Sequence, residues 1–293
     1  MALAGPASAA AAAPEFPGSD QVAYATPAGS DYWTPARMKA ATPAPAPTVP
    51  AGPTGQVARH PWAAPVPQAK KWSGGGAVLK TVGRVFFSTK DADLACSASV
   101  VTSANRDTVV TAGHCVYLGA TQEISNWVFV PGYYDGDAPY GKWSAQQLTP
   151  TPGWKQNQND LNEDVGFARV QPLNGKHLED AVGSNAIGFD TPIGDTVWSF
   201  GYPAQRTFNG EFLYYCRGAT RANTHETSST DIGIDCDMNG GSSGGPWMAK
   251  LNPKTGGTVV SVNSFGYDDL PSVMWGPRFD ASIKAVYNTV QAA

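Results

Sequence analysis

From residue 78 onward the chain is cut into short apolar runs, separated by Gly, Pro, Asn and Asp. The clear runs in the first half are Val82–Phe87, Ala98–Thr102, Thr108–Thr111, Trp127–Val130 and Val165–Val170. In the second half they are Thr196–Phe200, Phe212–Tyr215, Ile232–Asp235, Pro246–Ala249, Thr258–Val262 and Val273–Trp275. Runs this short and this rich in β-branched and aromatic residues read as strands, about a dozen in all. Short strands with turn punctuation bury their apolar faces by closing into sandwiches or barrels. Abundant glycine (32 residues) and sparse charge (15%) suit such a loop-rich all-β chain. The pattern changes at the end. Ile283, Val286, Tyr287 and Val290 recur at helical spacing, which predicts a C-terminal helix over 281–290.

Residues 1–70 are different in kind. They hold 13 of the 24 prolines and seven charged side chains, and stretches such as Ala41–Pro47 cannot build a core or join a central strand. The expectation is an extended, largely disordered segment, with one exception. Ser30–Ala40 has the residues for one or two helical turns after a cap. Met1–Ala10 resembles the tail of a secretory signal. Residues 15–75 then read as a pro-region, with Lys70-Lys71 and the following Trp-Ser-Gly-Gly-Gly as a processing zone; a plain spacer is the alternative. The predicted division is 1–76 (signal remnant and pro-region), 77–180 and 181–293 (two β-barrels, the second carrying the helix). A net charge of −4 offers no basic face for nucleic acid or acidic membrane. No apolar run approaches the ~20 residues that span a bilayer. A monomer is expected.

Chemistry concentrates in three places. Residues 240–246 read Gly-Gly-Ser-Ser-Gly-Gly-Pro. Glycines let a backbone turn tightly and leave bare N–H groups facing a reacting carbonyl, the setting of a serine nucleophile; a flexible linker has the same composition. A nucleophilic serine needs a base and an orienting acid. Of the four histidines, His60, His177 and His225 lie in polar or Pro/Ala-rich stretches and read as surface residues. His114 follows the β-branched run of Thr108–Thr111 in Thr-Ala-Gly-His-Cys, just past a strand end. Asp164 stands where a polar loop meets the apolar run Val165–Val170, with Asp160 and Glu163 as nearby competitors.

Thr-Ala-Gly-His-Cys, Asp-Val-Gly-Phe-Ala and Gly-Ser-Ser-Gly-Gly-Pro, in this order, resemble the three signatures of trypsin-like serine peptidases of the chymotrypsin fold. Trp127–Tyr133, Pro139–Gly141 and Phe200–Pro203 resemble the secreted bacterial branch that includes the glutamyl endopeptidases. The resemblance covers about residues 80–285. It implies two six-stranded antiparallel barrels with His114 and Asp164 in the first and Ser243 in the second. It further implies a secreted endopeptidase acting on proteins or peptides without a cofactor or metal. Ser243 is the expected nucleophile because the family's serine directly precedes Gly-Gly-Pro. His114 is the expected base, Asp164 its orienting acid, and the N–H groups of Gly241 and Ser243 the oxyanion donors.

Four cysteines allow three pairings; Cys96–Cys115 and Cys216–Cys236 are favoured because they brace the His114 loop and the approach to Ser243. Metal binding by these cysteines is the competing reading, and no Cys-x-x-Cys pair supports it. Disulfides imply an oxidising, extracellular setting. By the resemblance, the substrate side chain enters a pocket lined by Asp237 and Met238 on one side and by Asn263, Ser264, Phe265 and Gly266 on the other. Met238 and Asn263 stand where the glutamyl branch has threonine and histidine, a departure from glutamate preference. Asp237, six residues before Ser243, is either a receptor for Lys or Arg or a solvated turn residue. Ser264–Gly266 is the expected edge for pairing with an extended substrate. Ser242 replaces the aspartate that trypsins pair with a new N-terminal amine, so the pro-region is expected to mask the cleft or assist folding. The rival readings are a catalytically silent peptidase-like binding module and an esterase using the same serine.

Overall fold

The computed structural model describes residues 22–23, 29–49 and 68–293. The signal-like start, His60 and most of the stretch expected to be disordered lie outside these residues.

Twelve strands make the body. The first six are β1 (Val82–Ser88), β2 (Asp93–Val100), β3 (Thr108–Thr111), β4 (Ser125–Pro131), β5 (Trp143–Pro150) and β6 (Gly166–Val170). They pair antiparallel in the order β5-β6-β3-β2-β1-β4, and β4 pairs with β5 to close a six-stranded barrel. β1 is buried along its whole length, as its unbroken Val-Gly-Arg-Val-Phe-Phe-Ser run between two neighbours requires. β5 escaped the sequence reading. Its Ser144, Gln147 and Thr149 are polar yet buried, and Gln147 donates to Thr149 Oγ1 at 3.2 Å, so no apolar alternation marks it.

The second six are β7 (Thr196–Gly201), β8 (Tyr214–Ala219), β9 (Ile232–Asp235), β10 (Pro246–Asn252), β11 (Gly256–Val262) and β12 (Val273–Gly276). Here the hydrogen bonding is split. β11-β10-β7-β8 form one sheet and β9-β12 another. Cys216 of β8 is disulfide-bonded to Cys236 just after β9, a covalent tie across a joint that no ladder spans. Ser261 of β11 donates to Pro277 O at 2.8 Å across the other joint.

The C-terminal helix runs Ala281–Ala292, capped by Asp280, whose side chain accepts from Ser282 and Ile283 N–H. Its buried face is Ile283, Val286, Tyr287 and Val290, the residues that the spacing predicts. Although it leaves the second barrel, it packs on the first: Tyr287 meets Phe167 at 6.0 Å and donates to Thr102 O at 2.5 Å.

The upstream segment docks on this body. Thr34 caps a helix Pro35–Ala40. Trp33 is fully buried against Phe86 (5.3 Å) and donates to Asn126 O at 2.6 Å. Thr42–Pro43 pairs parallel with Leu94–Ala95, and Thr48–Val49 pairs parallel with Gly266–Tyr267. Lys70–Lys71, grouped by the sequence reading with the region upstream, adds a strand beside Tyr214–Tyr215 of β8.

Candidate active site

His114 sits in a turn of 3-10 helix, Gly113–Cys115, directly after β3. The Cys96–Cys115 disulfide pins this turn to β2. Asp164 ends the loop before β6, and both strand ends point to one region because β3 and β6 pair. The Asp164 carboxylate is wholly buried and accepts three hydrogen bonds. His114 N–H donates to Oδ1 at 2.8 Å, His114 Nδ1 lies 2.8 Å from Oδ2, and Ser264 Oγ donates to Oδ2 at 2.5 Å. The first two fix the imidazole by its backbone and its ring together. A carboxylate on Nδ1 leaves Nε2 as the free basic nitrogen. Nε2 is indeed buried without a hydrogen-bond partner. A side chain at Gly113 would strike Trp154 and come within 2.9 Å of Asp164 Oδ1, so glycine is required for this approach. Of the competing acids, Glu163 is bound by Ser282 Oγ at 2.7 Å, and burial pushes its carboxyl up. Asp160 accepts from Asn162 at 3.3 Å. Neither bonds to His114.

Ser243 arrives from the second barrel. Its carbonyl accepts from Ser97 N–H of β2 at 2.7 Å and lies 3.8 Å from Cys115 Sγ, beside His114. Gly244 has φ +79°, and a Cβ there would fall 2.0 Å from Thr111 Oγ1 and 2.4 Å from Ser97 O. The glycine therefore seats the serine loop directly on the strand end that carries His114. The two serines differ in what they do. Ser242 Oγ donates to Asn239 O at 2.7 Å, whereas Ser243 Oγ makes no hydrogen bond among the described residues. The backbone N–H groups of Gly241 and Ser243 likewise find no acceptor among the described residues.

Ser97 is a positioning residue that the sequence did not reveal. It also donates through Oγ to Gly241 O at 2.9 Å, accepts from Tyr202 N–H at 2.9 Å and takes Thr111 Oγ1 on its carbonyl at 2.8 Å. It thus fastens one barrel's strand to the other's loop.

The residues expected to line a substrate pocket separate into several roles. Asn263 is sealed, and its amide is fully used. Oδ1 accepts from Ser199 Oγ (2.6 Å) and Trp247 Nε1 (2.7 Å), and Nδ2 donates to Phe200 O (2.9 Å) and Ser242 O (3.0 Å). It braces the serine loop, and no polar group is left to meet a substrate. Ser264 serves Asp164. Met238 is buried in the apolar core of the second barrel with Cys216, Cys236 and Trp247. Phe265 is buried in an aromatic cluster with Tyr267 and Trp275. Gly266 keeps an edge, and Thr48 pairs with it. Asp237 is half-buried and accepts from Ala69 N–H at 2.6 Å.

Beyond the cleft, His225 is exposed and lies over Tyr267 at 4.9 Å. His177 pairs with Asp107 at 2.5 Å, an acid that also accepts from Leu178 N–H at the start of a short helix. Asp231, near Asp164, is pushed up to about 7, chiefly by burial.

The sequence model described as Trypsin matches residues 75–274. Among solved structures, the protease Anisep from Arthrobacter nicotinovorans is 41% identical with a TM-score of 0.70, and the match covers 75% of this chain and 99% of that one. The thermostable serine protease AL20 from an extremophilic microorganism is 38% identical with a TM-score of 0.69, covering 74% of this chain and 99% of that one. A Glu endopeptidase in complex with MPD, 20% identical with a TM-score of 0.61, covers 77% and 97% and shares the fold. A curated relative, the extracellular metalloprotease of Bacillus subtilis (strain 168), is 28% identical over 162 residues, 55% of this chain. The chain spans about half the length of that relative, 49%. Its name raises the question of a metal. Cys96, His114 and Cys115 form the one cluster of metal-capable side chains among the described residues. The two cysteines are bonded to each other, which leaves His114 as a single donor. These residues do not fit a metal.

Proposed function

The chain belongs to the trypsin family, and we propose that it is a secreted serine endopeptidase using Ser243, His114 and Asp164. The observation that carries this reading is the sealed His114–Asp164 pair at 2.8 Å, with its Nε2 unpartnered, beside a serine whose hydroxyl is uncommitted. Ser243 Oγ attacks the carbonyl carbon of a peptide bond while His114 Nε2 takes its proton. Asp164 holds the tautomer and stabilises the imidazolium. The Gly241 and Ser243 N–H groups meet the negative oxygen of the tetrahedral intermediate, and loss of one such donor costs about 3 kcal/mol of transition-state stabilisation. His114 then gives its proton to the leaving amine. Water, deprotonated by the same imidazole, hydrolyses the acyl-enzyme and restores Ser243.

Two disulfides and the extracellular relative support secretion. The upstream segment is the pro-region in this reading. Thr48–Val49 takes the main-chain groups of Gly266–Tyr267, the edge on which an extended substrate pairs, so segment and substrate exclude one another.

A fluorophosphonate probe and casein hydrolysis test the assignment. Ser243 is expected to be labelled, Ser243→Ala to lose both labelling and hydrolysis, and Ser242→Ala to keep both. Casein hydrolysis that survives Ser243→Ala rejects the assignment. Ester hydrolysis without casein hydrolysis makes the protein an esterase, and no labelling at all makes it a silent binding module. Secretion is tested by recovering the active protein from culture medium rather than from the cell fraction.

A further inference from the structure

We propose that the Gln68–Ala69 bond is a maturation cleavage site and that the ammonium freed on Ala69 is held by the Asp237 carboxylate. Ala69 N–H donates to Asp237 Oδ1 at 2.6 Å. Asp237 has no other hydrogen-bond or ionic partner among the described residues. It is half-buried, six residues before Ser243, in the loop that leads to the two free backbone donors. The amide N–H donates one hydrogen bond but no charge, whereas an ammonium at the same place would make a charge-assisted one.

The chain after this point is fixed. Ala69 packs against the apolar core that includes Cys236 and Met238. Lys70 and Lys71 pair with Tyr215 and Tyr214. Trp72 N–H donates to Leu213 O at 2.8 Å, and its ring meets Trp198, Phe200 and Tyr215. A cut before Trp72 would set an ammonium against a carbonyl, whereas a cut before Ala69 sets it against a carboxylate. Gln68 is exposed and open to a peptidase. Water adds across the amide; Gln68 leaves as a carboxylate and Ala69 takes the proton to become an ammonium at neutral pH. The Anisep and AL20 matches span nearly all of those chains but about 220 of the 293 residues here. That is close to the 225 residues from Ala69 to Ala293.

The position beside the nucleophile cannot do this work, because Ser242 has no charge and its hydroxyl is bound to Asn239 O. The pairing also withdraws Asp237 from substrates, so the mature protein loses the Lys/Arg preference that a free carboxylate there would confer. That consequence rests on the peptidase reading. The cleavage and the ion pair do not, and they are read without activity.

N-terminal sequencing of the naturally matured protein is expected to begin at Ala69; a start elsewhere overturns the cleavage site. For the pairing, the full chain is given an engineered site ahead of Ala69, cut by an added peptidase that leaves Ala69 first. A second version leaves one extra glycine before it, and Asp237→Asn is made in the first. Acylation of the N-terminal amine, followed by mass spectrometry, is expected to be at least tenfold slower for the Ala69 form than for the other two. Equal rates overturn the pairing. Peptide hydrolysis by the same three proteins is scored separately, so a form that pairs but cleaves nothing counts against the peptidase reading alone.

Discussion

Replacing Asn263 with alanine tests whether the serine loop is held from beneath. The amide makes four hydrogen bonds in a sealed site, two accepted from Ser199 and Trp247 and two donated to Phe200 O and Ser242 O. At about 1 kcal/mol net for each bond, Asn263→Ala costs about 4 kcal/mol, since the partners are buried and no water replaces the amide. Set against the 5–15 kcal/mol that holds typical domains, this loss is roughly a quarter or more. Urea unfolding measures it directly. Asn263→Asp sharpens the test. The carboxylate still accepts from Ser199 and Trp247, but it turns an oxygen toward two carbonyls that had received N–H groups. Burial and the two carbonyls facing its second oxygen raise its pKa in the folded state above the unfolded value of about 3.9. Stability relative to native is therefore highest below pH 4, where the acid is neutral and can donate once, and falls as pH rises toward 8. A loss under about 1 kcal/mol for Asn263→Ala, or an Asp variant whose deficit ignores pH, would refute the bracing role.

Ser264→Ala removes the hydroxyl that donates to Asp164 at 2.5 Å but leaves the His114 contact intact. The expected result is a fall in kcat of about tenfold, or 1.4 kcal/mol, with KM little changed; an unchanged kcat rejects the role. Asp231 has its pKa raised from 3.8 to about 7, mainly by burial, so its contribution to stability is full below pH 4 and is lost as pH rises through 7. The swing is about 4 kcal/mol, and Asp231→Asn should flatten that part of the stability-versus-pH curve; parallel curves for the two proteins count against it. In the full chain, Trp33→Ala empties a fully buried site and weakens docking of the upstream segment by about 3–5 kcal/mol. Ser243 should then react faster with a fluorophosphonate, and an unchanged rate removes the masking role.

The strands and the helix were legible because burial imposes a period on them. Thr108–Thr111 and Ile232–Asp235 end where the apolar runs end, and the buried face of the C-terminal helix falls on Ile283, Val286, Tyr287 and Val290. The His114, Asp164 and Ser243 motifs were legible because each needs small residues at a strand end. The pocket was not, because position along a chain does not give direction. Asn263 and Ser264 are neighbours, and one points under the serine loop while the other reaches Asp164 on the far barrel. Ser97 gave no local signal at all: its partners are Gly241, Tyr202 and Thr111, and only folding brings them together.

The upstream segment carries the same lesson further. Composition offers residues 1–70 no core of their own, yet it is silent on docking to another core, for which a few anchors suffice. Trp33, Met38 and Ala44 are buried on the first barrel, and Thr48–Val49 then reaches the Gly266–Tyr267 edge. On the proposed reading this strand competes with substrate as a tethered ligand while the chain is intact, and tethering raises its effective concentration. The proposed cleavage before Ala69 would cut the tether while Asp237 and the Trp72 cluster keep the new end in place. On that reading the segment must then hold its edge by its own affinity, which the paired Thr42–Pro43 and Thr48–Val49 and the buried Trp33, Met38 and Ala44 provide, and a substrate that binds more tightly displaces it. Masking and release on this reading would need no movement of His114, Asp164 or Ser243, only the loss of one covalent connection.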